Sequence, residues 1–111
     1  MTLNQNSQLY LKPMFVRIVK MSFHSKFIAD FEKMFDEKKD LIRKSEGCLL
    51  LELYQDKNNP EQFFTYSYWN TENDLENYRN SDLFKETWKQ TKTYFNDKPQ
   101  VWSVDKKVSL Q

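Results

Sequence analysis

A chain of 111 residues and 13.6 kDa has room for one hydrophobic core and not for two. Its 39% hydrophobic and 30% charged residues are those of a soluble globular protein, and the mean hydropathy of -0.87 does not signal disorder, because the 16% aromatic residues supply a large buried area each. Seventeen Lys and Arg against sixteen Asp and Glu leave a net charge of +1, which implies no nucleic acid or other polyanionic partner. Cys48 is the only cysteine, so an internal disulfide framework is excluded and a reducing compartment suits the chain. With neither a secretory apolar region nor a long apolar run, export and membrane spanning are not expected, and a cytoplasmic location is the default.

In chain order, MTLNQNSQLYLKP (1–13) is polar and reads as an appendage to a domain over 14–111, with Leu9, Tyr10 and Leu11 able to dock it on a neighbour. MFVRIVKMSF (14–23) is rich in β-branched and apolar residues and predicts a strand, interrupted by Arg17 and Lys20. Ser25 is placed to cap a helix in which Phe27, Phe31, Met34, Phe35, Leu41 and Ile42 recur at steps of three and four. Gly47, the only glycine, fits the stop after that helix. CLLLELYQ (48–55) and QFFTYSYW (62–69) read as a hairpin around the polar turn DKNNPE. Thr71 with Asp74 resembles a capping box and predicts a short helix through Leu75 and Tyr78. Ser81 then starts a helix carrying Leu83, Phe84, Trp88, Thr91 and Phe95, ended by Pro99, and QVWSVDKKVSL (100–110) supplies a last strand.

The order β-α-β-β-α-β is the α+β ferredoxin-like split arrangement, a four-stranded antiparallel sheet with helices on one face. Strand two alternates Leu49, Leu51 and Leu53 with Cys48, Leu50, Glu52 and Tyr54; strand three alternates Phe64, Tyr66 and Tyr68 with Phe63, Thr65, Ser67 and Trp69. Both faces therefore carry large apolar groups, and helices on one side leave a patch that marks an interface. A homodimer through sheet-to-sheet packing is expected.

The strand FVRIVKMSF, the helix leading to SEGC, the hairpin into TYSYW and the segment SDLFKETW together resemble the antibiotic biosynthesis monooxygenase family. The resemblance spans roughly 14–108 and is most specific at Trp69 followed by NSDLFKETW. It implies a dimeric α/β barrel-type assembly of ferredoxin-like chains. It also implies a pocket between the sheet and the helices after strand three, and an oxygenase without a cofactor acting on phenolic or quinol-like aromatics. The haem-degrading branch of the family is similar through SDLFK, but it places a Trp in the short helix and an axial His about three turns later. Here Tyr78 and Trp88 stand at those positions, and an indole nitrogen is only a donor. The strand-one Asn of that branch is missing from 14–23, so haem is not expected and the cofactor expectation is none.

The chemistry such a pocket needs is the exclusion of water, orientation of the ring and fixed donors for a developing oxyanion. Tyr78, Arg17 and Trp88 are the candidate catalytic donors, and Trp69, Phe84, Ser67, Tyr66 and His24 the candidate substrate-binding residues. Each has a plainer reading. Trp88 and Phe84 at helical spacing suit a core; Arg17 either faces the helices or pairs with Glu52 on a neighbouring strand. His24 suits a surface position beside a helix start, and Cys48 a small buried hydrophobe. One His and one Cys make no zinc site of the usual kind, and no Ser-His-Asp or glycine-rich phosphate motif is present. Three functions stay open: a monooxygenase for a small aromatic, a non-catalytic dimer that binds a small hydrophobic ligand, and an RNA-binding module of the same strand order. QFFTYSYW supplies aromatics for the last but lacks the basic, glycine-containing strand such modules use.

Overall fold

The computed structural model describes residues 14–111, and the expected appendage with Leu9, Tyr10 and Leu11 lies outside the described residues. Strand β1 (Phe15–Ser22) leads through a 3-10 turn (Ser25–Phe27) into helix α1 (Ile28–Arg43). Strands β2 (Cys48–Gln55) and β3 (Gln62–Trp69) follow, then helices α2 (Glu72–Arg79) and α3 (Asp82–Lys92) and strand β4 (Gln100–Val104). The sheet order is β2-β3-β1-β4, all antiparallel, which is the ferredoxin-like α+β arrangement. No helix among the described residues is long and apolar enough to cross a membrane.

The period of two in each strand sorts the side chains. Arg17, Ser67 and Leu51 share one row across β1, β3 and β2, and Val19, Thr65 and Leu53 the next, all facing the helices. Ile18, Tyr66 and Trp102 form a row on the opposite face, and Val16, Tyr68 and Val104 another. No helix among the described residues covers that face, where Trp102 is 44% and Tyr54 47% exposed. A bulge between Cys48 and Leu50 corrects the simple alternation expected for β2: Cys48 pairs with Trp69 on the helix side, and Leu49 is the extra residue, left exposed.

The core has two centres. Phe23, Phe31 and Phe63 are almost fully buried with Met21 and Met34 at the foot of the sheet. Trp69, Phe15, Cys48 and Leu75 form the second cluster, under α2. Three expected ends move. Ser25 does not cap α1: its hydroxyl and backbone N–H both donate to Glu61, at 2.7 and 3.1 Å, and the chain enters the helix through the 3-10 turn. Phe95 is not helical, because α3 ends at Lys92 and residue 95 is drawn into a β-bridge with Phe23. The last strand stops at Val104 rather than 110.

Glu61 also accepts from Asn96 Nδ2 at 2.9 Å, so one carboxylate ties the 3-10 turn, the β2–β3 turn and the loop before β4. The Ser25 donors, more than the other contacts, hold its pKa below the ordinary glutamate value. A carboxyl whose folded pKa is depressed stabilises the fold above its unfolded value, about 4.3, and loses that contribution as pH falls through the folded one. The melting temperature of the wild type is therefore expected to fall more steeply than that of Glu61→Gln below about pH 4.3. Parallel melting curves in acid would contradict the tie.

Candidate functional site

Local sequence sets the wall of the site. The Thr71 hydroxyl, two residues past the end of β3, accepts from the Asp74 backbone N–H at 3.0 Å and starts α2. The Ser81 hydroxyl accepts from Phe84 N–H at 3.2 Å and donates to the Tyr78 carbonyl, so one side chain closes α2 and opens α3. That hinge sets Tyr78 against Phe84 edge-on, with ring centres 5.2 Å apart. Tyr78 stacks on Trp69 at 5.1 Å, and Phe84 lies nearly parallel to Trp88 at 5.9 Å. The four aromatics therefore meet in sequence, each touching the next.

They enclose one side of a cleft between the helix-facing side of the sheet and all three helices. About 100 Å³ of it can hold the centre of a water-sized sphere, several times what one water needs. Among the described residues the lining is mainly apolar and aromatic, with Arg17 its only fixed charge and with no carboxylate and no imidazole. The polar points are Arg17, the Tyr78 hydroxyl, Thr65, Ser67, Thr87 and Thr91.

The structure brings Arg17, Ser67, Trp69, Tyr78, Phe84 and Trp88 together around this cleft and leaves two expected residues out. Tyr66 lies on the other face of the sheet, edge-on to Tyr54 at 5.3 Å in a shallow depression with Phe64. Neighbouring strand residues point to opposite faces, so Ser67 and Tyr66 cannot both enter one cleft. His24 is exposed beyond the end of β1, beside the Phe27 ring, because its backbone N–H is held by the Tyr94 carbonyl. Arg17 does not pair with Glu52: β1 neighbours β3 and β4 rather than β2, and Glu52 accepts from the Tyr54 hydroxyl. Nor are all the expected donors free. Trp69 Nε1–H donates to Ser67 Oγ at 2.9 Å, which commits the indole and leaves the Ser67 proton to point elsewhere.

Thr65 and Thr87 were not singled out by sequence. Thr65 shares the two-residue period of Ser67, and Thr87 falls in the stripe 84–87–88–91 of α3, so both patterns were present, hidden beside larger aromatics. The Thr87 hydroxyl is the one buried side-chain oxygen or nitrogen without a hydrogen-bond partner among the described residues. Its neighbour one turn on, Thr91, donates to the Thr87 carbonyl at 2.7 Å.

Burial decides the ionisation of the site. It pushes the Tyr78 phenol far above its ordinary value, with Cys48 adding to the shift and Arg17 opposing it, so Tyr78 is a neutral O–H donor and no base. Burial likewise raises the Cys48 thiol, which stays protonated. Arg17 is lowered by burial and then by Arg79, with Tyr78 and Glu76 acting the other way, yet a guanidinium starts so high that it stays charged.

A sequence model of the family described as antibiotic biosynthesis monooxygenase matches residues 14–90, the stretch from β1 through most of α3. The chain belongs to this family. No curated protein sequence matches it. Among solved structures, a conserved protein from Methanosarcina mazei Go1 is 23% identical, with a TM-score of 0.81 over 89% of this chain and 99% of that one. A putative antibiotic biosynthesis monooxygenase from Bordetella bronchiseptica is 24% identical with a TM-score of 0.77, covering 86% and 99%. SnoaB, a cofactor-independent oxygenase from Streptomyces nogalater, is 10% identical with a TM-score of 0.79, covering 88% and 97%. Identities this low carry the fold of the antibiotic biosynthesis monooxygenases and not their residues. Within that fold, Trp88 occupies the cleft wall on α3.

Proposed function

We propose that this member of the family is a cofactor-independent monooxygenase acting on a small phenolic or quinol-like aromatic. The observation that carries the reading is the cleft itself: an aromatic wall of Tyr78, Phe84 and Trp88 faces a guanidinium and an uncommitted phenol in a site with no other charge among the described residues. Family membership and the monooxygenase names of structural neighbours support it.

The chemistry needs little from the protein. A deprotonated anthrone-type substrate is a stabilised carbanion; it passes one electron to dioxygen, and the radical pair closes to a carbon-bound peroxide. Protonation gives the hydroperoxide. The second C–H proton on the same carbon is then lost to solvent, its electron pair forms the carbonyl, and the O–O bond breaks to release the outer oxygen as water. One oxygen atom ends in the product and the other in water, and the four electrons that dioxygen takes up come from the two C–H bonds of the oxidised ring carbon. Arg17 stabilises the oxyanion of the deprotonated ring, Tyr78 O–H donates to it, and the aromatic wall excludes water.

Oxygen uptake with a panel of anthrones and hydroquinones tests this. Wild type is expected to exceed the protein-free rate, and Tyr78→Phe to lose roughly tenfold or more, as removal of one fixed oxyanion donor does. Wild-type uptake no faster than buffer across the panel would sink the reading for those substrates. A non-catalytic binder of the same ligands is then what is left.

The sheet face that no described helix covers supports a homodimer formed by sheet-to-sheet packing around Tyr66, Tyr68, Trp102 and Ile18. Sedimentation equilibrium is expected to give twice the chain mass, and Trp102→Glu to shift it towards the monomer. A wild-type monomer at micromolar concentration would overturn this assembly.

A further inference from the structure

Arg17 is the least explained residue of the cleft. It is the third residue of β1, in the row of Ser67 and Leu51, and is partly buried. Among the described residues it makes no ion pair and no side-chain hydrogen bond. The nearby acid, Glu76, is engaged with Arg79 Nη1 at 3.5 Å on the exposed side of α2. The charged groups near Arg17 are thus one cation and one carboxylate already shared with that cation, while the cleft contributes no acid of its own. A guanidinium withdrawn from water is costly unless an anion meets it, and its fork of donors matches a planar oxyanion.

The other polar groups of the cleft do not supply that anion. Tyr78 is held neutral, the Ser67 oxygen is occupied by Trp69, and Thr87 O–H is an unpartnered neutral group. All of them can donate, and none carries negative charge. The lining therefore presents a positive, donor-rich pole on an aromatic slot.

We propose that the cleft takes its ligand as an anion: a flat aromatic molecule whose planar oxyanion, a carboxylate or an acidic ring hydroxyl, is seated on Arg17. This deepens the proposed monooxygenase reading by naming the charge class of its substrate, and it rests on that reading only for the location of the site. Neutral aromatics of the same shape fill the slot but leave the guanidinium unmatched, and binding falls accordingly.

Calorimetric titration of the full chain, anaerobically and without turnover, tests the proposal with three probes: 2-naphthoate, 2-naphthalenemethanol and 2-naphthol. Naphthoate is expected to bind wild type at least about tenfold more tightly than the neutral methanol. Arg17→Met is expected to abolish the difference, and Arg17→Lys, which keeps the charge without the fork, to retain part of it. The absorption band of bound 2-naphthol reports the second source: a naphtholate band appearing at lower pH than in free solution, and restored to the free value by Arg17→Met, assigns an acidic ring hydroxyl. A preference confined to naphthoate assigns a carboxylate. Equal affinities for naphthoate and the methanol in wild type, with no shift of the naphtholate band, overturn the proposal, as does a preference that survives in folded Arg17→Met. If Arg17→Met does not fold, the wild-type comparison decides alone. Because none of these readings depends on oxygen, loss of the anion preference and loss of monooxygenase activity are separate outcomes.

Discussion

Phe23→Ala is expected to cost about 3–5 kcal/mol of folding stability, a large share of the roughly 5–15 kcal/mol typical of a domain. Phe23 is 0% exposed and stands where three parts of the chain converge. Its ring stacks on Phe31 of α1 at 4.2 Å, meets Phe63 of β3 edge-on at 5.6 Å, and stacks on Phe95 at 5.4 Å. Truncation removes three aromatic contacts together with the transfer free energy of the ring, and the rigid neighbours cannot collapse fully into the space. The backbone on either side is pinned as well, since Phe23 N–H donates to Glu61 O and Asn96 N–H to Ser22 O. Urea unfolding is the measurement, with a lower midpoint at unchanged slope. Leu41→Ala, at a residue 54% exposed, serves as the comparison and should stay within about 0.5 kcal/mol of wild type. A Phe23→Ala loss below about 1.5 kcal/mol would mean that the foot of the sheet is looser than this packing implies.

Gly47→Ala should destabilise by about 2–4 kcal/mol, from two separable causes. Gly47 has φ of 80°, the left-handed region that costs a residue with a Cβ. A Cβ there would also lie inside the envelope of Asp74 Cβ and Cγ on α2. The close approach is fixed from both sides, because Asn70 N–H donates to Gly47 O at 2.8 Å and Asp74 is held in the capped first turn. Relief by displacement of α2 would move Leu75 and Tyr78, so the substitution should also weaken ligand binding in the cleft. Adding Asp74→Gly removes the clash and leaves the backbone term, about 1–2 kcal/mol. A double variant no more stable than Gly47→Ala alone would show that the clash is not what matters.

Much of this fold was written in local pattern. The β2 and β3 limits and the Thr71 and Ser81 caps follow from spacing and from the few residues able to take those positions. So does the meeting of Trp69, Tyr78, Phe84 and Trp88, because the two caps lie close enough in sequence to fix it. Gly47 does not stop α1, which ends at Arg43 with Lys44 as its cap, but takes the left-handed position in the turn directly before β2. At Ser25 a capping hydroxyl and a hydroxyl bound to a distant carboxylate look the same in sequence, since Glu61 is 36 residues away. Phe95 continued a helical spacing, but pairing with Phe23 drew it out of the helix.

By itself, then, the sequence determined the element order, the aromatic wall and the class of fold, since each depends on propensities and periods acting over a few residues. Which way Arg17 faces, and therefore whether the cleft is charged, was decided only in three dimensions. A strand's period says which residues share a face but not which face meets the helices, and the β2 bulge shifts that assignment by one residue from Cys48 to Leu50. The sheet order finished the matter by setting β3 between Arg17 and the Glu52 that would have neutralised it.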